Sequence, residues 1–330
     1  MPTLWFSYSF LPHHSFDSEA PIASPYKRTH YLGNHLRAMA AQIGYEFQYV
    51  NLDDTTPRTI GKDDIVIGHL WFNDGSFIQQ AFDQECRAKF CIQPYTHKMV
   101  GDEALPTLFK YFDLADHLFL ITGPYWFDTM PDTKFGRWHA KATRIENAVN
   151  PDVHIFGKTK WNPPGKRAAL CIGYPNPVKG LDLTADLARV SGLRLGHCGH
   201  AAPELFEHVP QYTYHGGLQF TPDVIRWLCN QYDFFVTMGR YDANPTSLCE
   251  TSAWGLMPFC TPTSGYWPGQ PFAALQTDNL LFNLTQLETF QYMPEHKLIE
   301  WQTSIRDVII RDFTWERTCS VVWEKMQEWL

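Results

Sequence analysis

Several things are missing from this chain of 330 residues, and each absence removes a class of protein. No apolar run approaches the roughly 18 residues that a membrane-spanning helix needs. Positive charge is sparse. Against 35 Asp and Glu there are 27 Lys and Arg, a net charge of −8, the wrong sign for nucleic acid or for an anionic membrane surface. The basic stretches Lys27-Arg28 and Lys158/Lys160/Lys166/Arg167 read as solvated loops. None of the eight cysteines forms a C-x-x-C pair, and several sit in apolar runs such as Ala169–Ile172. They read as free, mostly buried thiols in a reducing, cytoplasmic setting. The amino terminus lacks a basic leader and reads as a buried strand. There is no G-x-G-x-x-G and no P-loop, which weakens nicotinamide and ATP readings. No metal site is expected. His197-Cys198-Gly199-His200 is too tight for a zinc site, and neither Asp53-Asp54 nor Asp63-Asp64 convincingly follows a nucleotide-binding strand.

What is present is a long, aromatic-rich alternation. Hydrophobic residues make up 44% and aromatics 15%, with 12 Trp, enough for large cores and for surfaces that stack on rings. Strand-like runs at Thr3–Phe10, Glu46–Asn51, Asp64–Leu70, Lys89–Gln93 and Asp116–Thr122 are interleaved with helix-like stretches at Gly33–Gly44 and Thr107–Leu114. A polar, proline-containing stretch, Lys158–Lys166, reads as a linker, a place for a hinge. A second alternation follows. Its strands are Ala168–Ile172, Leu193–His197, Tyr212–His215, Asp233–Met238 and Met257–Thr261, and its helices Asp182–Val190, Asp223–Asn230 and Ser247–Trp254. The tail, Trp315–Leu330, is amphipathic, with Val321, Val322, Met326 and Trp329 on one stripe. Two parallel sheets covered by helices are expected.

The segment Met238–Glu250 carries the most chemistry. A strand ends, a loop follows, and a helix begins, with Asn244 as expected N-cap and Pro245 at the first helical position. The amides of Thr246 and Ser247 would then face the carboxyl edge of the sheet, a ready site for a diphosphate. Asp242 and Glu250 are two acids beside it, best understood as acceptors for neutral hydroxyls.

This segment resembles the paired-acid signature of retaining glycosyltransferases of family 4, in which two acids stand eight residues apart, although Asp242 stands where Glu is usual. Ile172–Gly180 resembles the family's "Gly-Arg…Lys-Gly" strand end, with Tyr174 in place of arginine. Leu195–Gly199 and Tyr212–Gly216 resemble the two strand ends that follow. Gly255–Gly265, the link Arg144–Asn150 and the closing Phe313-Thr314-Trp315-Glu316 also fall in register. In the first half, Pro94-Tyr95-Thr96-His97 resembles a reaction-centre strand end and Asp64–His69 the strand before it.

The resemblance implies a GT-B fold, two Rossmann-like lobes facing each other across a cleft. They would be an acceptor-side domain over 1–150 and a nucleotide-sugar domain over 151–312, with a helix over 313–330 crossing back to the first lobe. It implies metal-independent transfer of a hexose from a UDP- or GDP-linked donor to a hydroxyl of a glycan, lipid or small molecule. The nucleotide sugar is a substrate and no cofactor is expected. Catalytic roles fall to His97, Lys179 and Asp242. Donor contacts fall to Gly173, Tyr174, Lys179, Gly199, Gly216, Asp242, Ala243, Asn244, Thr246, Ser247 and Glu250. His14, Lys27, Arg28 and His69 are acceptor-side candidates. An epimerase or phosphorylase on the same fold, or a non-catalytic sugar-binding relative, are the alternatives.

Overall fold

The structure, a computed structural model, describes residues 1–9, 27–70, 75–98, 104–269 and 271–330. The chain divides into two compact units. The first comprises Met1–Ile121, Thr129–Ile145 and Trp315–Leu330; the second comprises Thr122–Asp128 and Glu146–Thr314. Thr122–Asp128 thus groups with the second half of the chain, although it lies between two strands of the first.

Along the chain the elements begin with β1 (Thr3–Ser7), α1 (Lys27–Gln42), β2 (Glu46–Tyr49), β3 (Ile65–His69) and α2 (Phe77–Phe82). β4 (Ala88–Pro94), α3 (Leu105–Leu114), β5 (His117–Ile121), α4 (Pro124–Asp128) and β6 (Ala142–Ile145) follow. Six strands form one sheet in the order β2-β1-β3-β4-β5-β6, with every pairing parallel. β5 is buried at all five residues and β3 at four of five, whereas the edge strand β2 is partly exposed throughout. Continuous apolar runs are what a central parallel strand requires, because both faces are covered.

The second unit continues with β7 (Ala169–Gly173), α5 (Leu181–Ser191), β8 (Leu195–Gly199), α6 (Pro203–Phe206), β9 (Tyr212–Gly216) and α7 (Pro222–Gln231). Then come β10 (Phe234–Thr237), α8 (Thr246–Trp254), β11 (Met257–Cys260), β12 (Ala273–Ala274), α9 (Leu280–Tyr292) and α10 (Glu295–Asp312). The sheet order is β12-β11-β10-β7-β8-β9, again parallel throughout. The order reverses between β7 and β10: β8 and β9 extend one way, β11 and β12 the other. Loops leaving the carboxyl ends of β7 and β10 therefore emerge side by side.

The final helix, α11 (Trp315–Met326), belongs to the first unit. Its buried face is Trp315, Thr318, Cys319, Val322, Trp323 and Met326, and the last four pack into the core of β1, β3 and β4. Of the expected stripe, Val322 and Met326 are at its centre, while Val321 and Trp329 lie at its margin. As expected, the cysteines are free and seven of the eight are buried.

Two readings of the sequence are overturned. The basic cluster Lys158/Lys160/Lys166/Arg167 is solvated only at Lys160 and Lys166, because Lys158 is 3% exposed and Arg167 is 2% exposed. The Lys158 ammonium donates to Asp233 Oδ1 at 2.8 Å and to the carbonyls of Cys229 and Tyr232 at 2.9 and 2.7 Å. Arg167 donates to the carbonyls of Phe290 and Met293 at the carboxyl end of α9, where a cation opposes the negative end of the helix dipole. Nor is Lys158–Lys166 a loose linker. Asn162 ties it to Asp233 by its backbone N–H at 2.9 Å and its side-chain amide at 2.7 Å.

Candidate nucleotide-diphosphate site in the second unit

The topological reversal between β7 and β10 positions the key side chains. Beyond β7 the chain makes a short 3₁₀ turn, Pro177–Lys179, with Asn176 Oδ1 accepting from the Val178 N–H at 2.9 Å. The turn ends at Gly180, whose φ of 60° is left-handed. A Cβ there would lie 1.9 Å from the Met238 carbonyl oxygen, so only glycine lets this loop approach β10 so closely. The Arg240 N–H donates to the Val178 carbonyl at 2.9 Å and stitches the two loops together. Lys179 and Asp242, 63 residues apart, thereby meet, with Nζ 2.6 Å from Oδ2. The Asp242 side chain is 9% exposed and that of Lys179 is 36% exposed, so the ammonium reaches solvent while the carboxylate is enclosed.

Arg240 does not stand free for a phosphate. It makes a bidentate pair with Asp182 at 2.7 and 2.6 Å, and the hydrogen bonds from Arg240 hold the Asp182 carboxyl below its usual range. Tyr174, at the position of the missing arginine, is 55% exposed and meets the ring of His200 edge-on at 4.4 Å.

Helix α8 begins at Thr246, and the residue preceding it is Pro245. Asn244 is therefore not the N-cap, and the residue in that place, Pro245, has no side-chain capping bond. Asn244 instead donates through Nδ2 to Glu146 Oε2, and Tyr266 Oη lies 3.2 Å from both Glu146 Oε2 and Asn244 Oδ1. Burial, together with the Cys249 thiol and the Glu146 charge, pushes the Tyr266 phenol well up. The first amide of α8 to bond backwards is that of Leu248, to Pro245 O at 3.0 Å. Those of Thr246 and Ser247 precede the ladder, as at any helix start.

The loop before α8 is held by its carbonyls. Asp242 O accepts from Trp126 Nε1 at 2.9 Å, Ala243 O from the Gly123 N–H at 2.8 Å, and Asn244 O from Asn147 Nδ2. Consecutive carbonyls are thus occupied, which fixes the backbone from which the Asp242 side chain projects. Glu250 lies on α8 and is 6% exposed; its Oε1 is 3.4 Å from His154 Nε2.

The remaining candidates are placed as follows. Gly173 and Gly199 end neighbouring strands, and a Cβ on Gly199 would come 2.1 Å from Gly173 O. The ring nitrogens of His197 lie 3.2 Å from Tyr212 Oη and 3.1 Å from Gly173 O. Among the described residues no cluster of three His, Cys, Asp or Glu side chains could hold a metal. Gly216 ends the edge strand β9 at a φ of 77°.

In the first unit, His97 follows β4 at the carboxyl end of its sheet, with its pKa lowered first by burial and then by Lys98. His69 ends β3, stacks on Tyr8 at 5.3 Å, and is pushed down to about 4 by burial and then by Arg28. Arg28 is not in a loop. It lies in the first turn of α1, and its guanidinium donates to Tyr8 Oη and covers the Tyr8 ring at 5.2 Å. His14 and the side chain of Lys27 lie outside the described residues.

Trp126, Gly123, Glu146, Asn147, Tyr266 and His154 contact the candidate residues Asp242–Asn244 and Glu250, and the sequence reading assigned them no role. Glu146 and Asn147 lie in the quoted link motif, but nothing in the spacing of Gly123, Trp126 or His154 points to the loop after β10.

No family model matches the chain, and no curated protein does. Solved structures do. A sucrose-phosphate synthase from Thermosynechococcus elongatus superposes with a TM-score of 0.69 at 11% identity, over 99% of this chain and 98% of that one. The E. coli trehalose-6-phosphate protein solved with UDP-2-fluoro glucose gives a TM-score of 0.67 at 9% identity, over 98% of both chains. WaaG, a glycosyltransferase of lipopolysaccharide biosynthesis, gives 0.57 at 11% identity, over 96% of this chain and 99% of that one. The two six-stranded parallel sheets with flanking helices, together with these likenesses, define the fold as GT-B.

Proposed function

We propose that this chain is a retaining glycosyltransferase. It would move a hexose from a UDP- or GDP-linked donor to a hydroxyl of a glycan, lipid or small molecule, without a divalent metal. The reading rests above all on one observation: the Lys179–Asp242 pair at 2.6 Å, in the loops that flank the topological reversal and beside the uncapped start of α8. Open α/β sheets bind ligands at this edge. On this reading the donor diphosphate takes the Lys179 ammonium and the amides of Thr246 and Ser247. Asp242, released from Lys179, accepts from a hydroxyl of the transferred sugar. Glu250 accepts from the ribose. As the bond to the sugar breaks, charge grows on the leaving diphosphate, and Lys179 with the helix amides stabilises it. The acceptor hydroxyl attacks from the same face, which retains the anomeric configuration. The E. coli neighbour bound with UDP-2-fluoro glucose supports a nucleotide-sugar donor. His97, at the carboxyl end of the other sheet, is assigned a catalytic role.

A ligand that binds only the folded state raises the melting temperature. A thermal-shift screen with UDP, GDP and their sugars therefore tests the donor class directly. Glu250→Ala is expected to weaken binding of the matching nucleoside diphosphate by about 1.5–3 kcal/mol, the range for a hydrogen bond to a charged group. Unchanged affinity in calorimetry would remove Glu250 from the site.

Transfer is expected to survive EDTA, because Lys179 and the helix amides supply the positive charge that a divalent ion supplies elsewhere. Loss of transfer that manganese restores would overturn metal independence.

A further inference from the structure

Glu250 and Trp254 stand four residues apart on α8, on one face of the helix. Both reach the same imidazole. His154 Nδ1 lies 3.1 Å from Trp254 Nε1, and His154 Nε2 lies 3.4 Å from Glu250 Oε1. All three residues are buried. An indole N–H only donates, so Nδ1 must be the acceptor in the first contact. A neutral imidazole that accepts at Nδ1 carries its hydrogen on Nε2, and Nε2 faces the carboxylate. The tautomer is thus set by Trp254, and the donor nitrogen it leaves lies 3.4 Å from Glu250 Oε1. The ring is held parallel to the indole, at 12° and 6.1 Å between centroids. The backbone around it is fixed too. The His154 N–H bonds to Asn150 O at 2.8 Å, and the amides of Gly157 and Lys158 bond to Trp254 O at 2.9 and 3.1 Å.

We propose that His154 is a positioning residue for the nucleotide acid. Held by Trp254 as the Nε2–H tautomer, it fixes one oxygen of Glu250 and so the direction in which the carboxylate accepts from a ribose. The consequence is discrimination between ribonucleoside and 2′-deoxyribonucleoside diphosphates. This rests on the reading of Glu250 as the acid that meets the ribose.

The experiment is calorimetry of the full chain with UDP and 2′-deoxy-UDP, or the guanosine pair if GDP is what raises the melting temperature. The quantity read is the ratio of the two dissociation constants. His154→Phe keeps a flat ring but has no nitrogen, and should reduce the wild-type preference for the ribonucleotide about tenfold, the loss of one charge-assisted hydrogen bond. His154→Gln can accept from Trp254 and donate to Glu250 together, and should restore most of the preference. Trp254→Phe removes the indole N–H together with part of the buried ring's volume, and is expected to fall between the two. It also serves as the test if His154→Phe does not fold.

A wild-type ratio in His154→Phe, or in Trp254→Phe where that variant stands in, with a changed ratio in Glu250→Ala, overturns the positioning role and leaves the reading of Glu250 intact. A wild-type ratio in Glu250→Ala overturns both, as does a wild-type protein that binds neither UDP nor GDP.

Discussion

Asp233→Ala is expected to cost about 3–5 kcal/mol of stability, the range for breaking a buried ion pair from one side. Asp233 is fully buried and its carboxylate accepts from four donors. They are Lys158 Nζ at 2.8 Å, the Asn162 N–H at 2.9 Å, Asn162 Nδ2 at 2.7 Å and the Ala168 N–H at 3.0 Å. Alanine would strand an ammonium whose pKa burial already lowers, and would leave two backbone amides unsatisfied. A typical domain has only about 5–15 kcal/mol to lose. The measurement is the urea midpoint. The double variant Lys158→Met with Asp233→Leu should lose less than Asp233→Ala, because an apolar pair leaves no uncompensated charge, while the two backbone amides stay unsatisfied in both. Asp233→Ala costing under about 1 kcal/mol would mean that water enters to replace the carboxylate.

The second large effect falls on turnover. Lys179→Ala is expected to lower kcat by about 10²–10³, the loss typical of one group that stabilises developing negative charge. Donor affinity should fall less, since the charge on the diphosphate is greatest in the transition state. On the proposed function, the enclosed Asp242 carboxylate adds to the loss, because without Lys179 it would stand unneutralised beside the donor phosphates. Steady-state kinetics over a range of donor concentrations separates the two effects. A raised KM at unchanged kcat would make Lys179 a ground-state clamp and nothing more.

How far the sequence carries differs by element. β5, β10 and β11 are buried at every residue, and continuous apolar runs between polar turns announce such strands. Helices α9 and α10 go unremarked in the sequence for the opposite reason. α9 buries Asn283 beside Leu287 and Phe290 while leaving Leu281 75% exposed, so no clean stripe forms. α10 places a buried Gln302 between Leu298 and Ile305, and that glutamine is there to donate to Gly255 O at 2.8 Å. Lys158 and Arg167 look like surface charge until their acceptors are known, and those acceptors are Asp233 and a helix end more than a hundred residues downstream. The chemistry of the loop after β10 is legible as residue types. Its support is not, because Trp126 and Asn147 reach it only through the fold.

The threading of the chain through its two units bears on how it folds during synthesis. Trp126 bonds to Asp242, 116 residues later, and α11 completes a core begun at β1. Contacts this distant in sequence close late, after the loop-closure entropy has been met. The first unit cannot finish as a block before the second has been made. The first waits for residues 315–330, and the second must keep Thr122–Asp128 uncommitted until β10 and its loop have appeared. The usual amino-to-carboxyl order of domain folding is closed to this protein. A nascent chain halted before α11 should therefore hold an incomplete first core, with the apolar surface that Val322, Trp323 and Met326 cover left open to solvent.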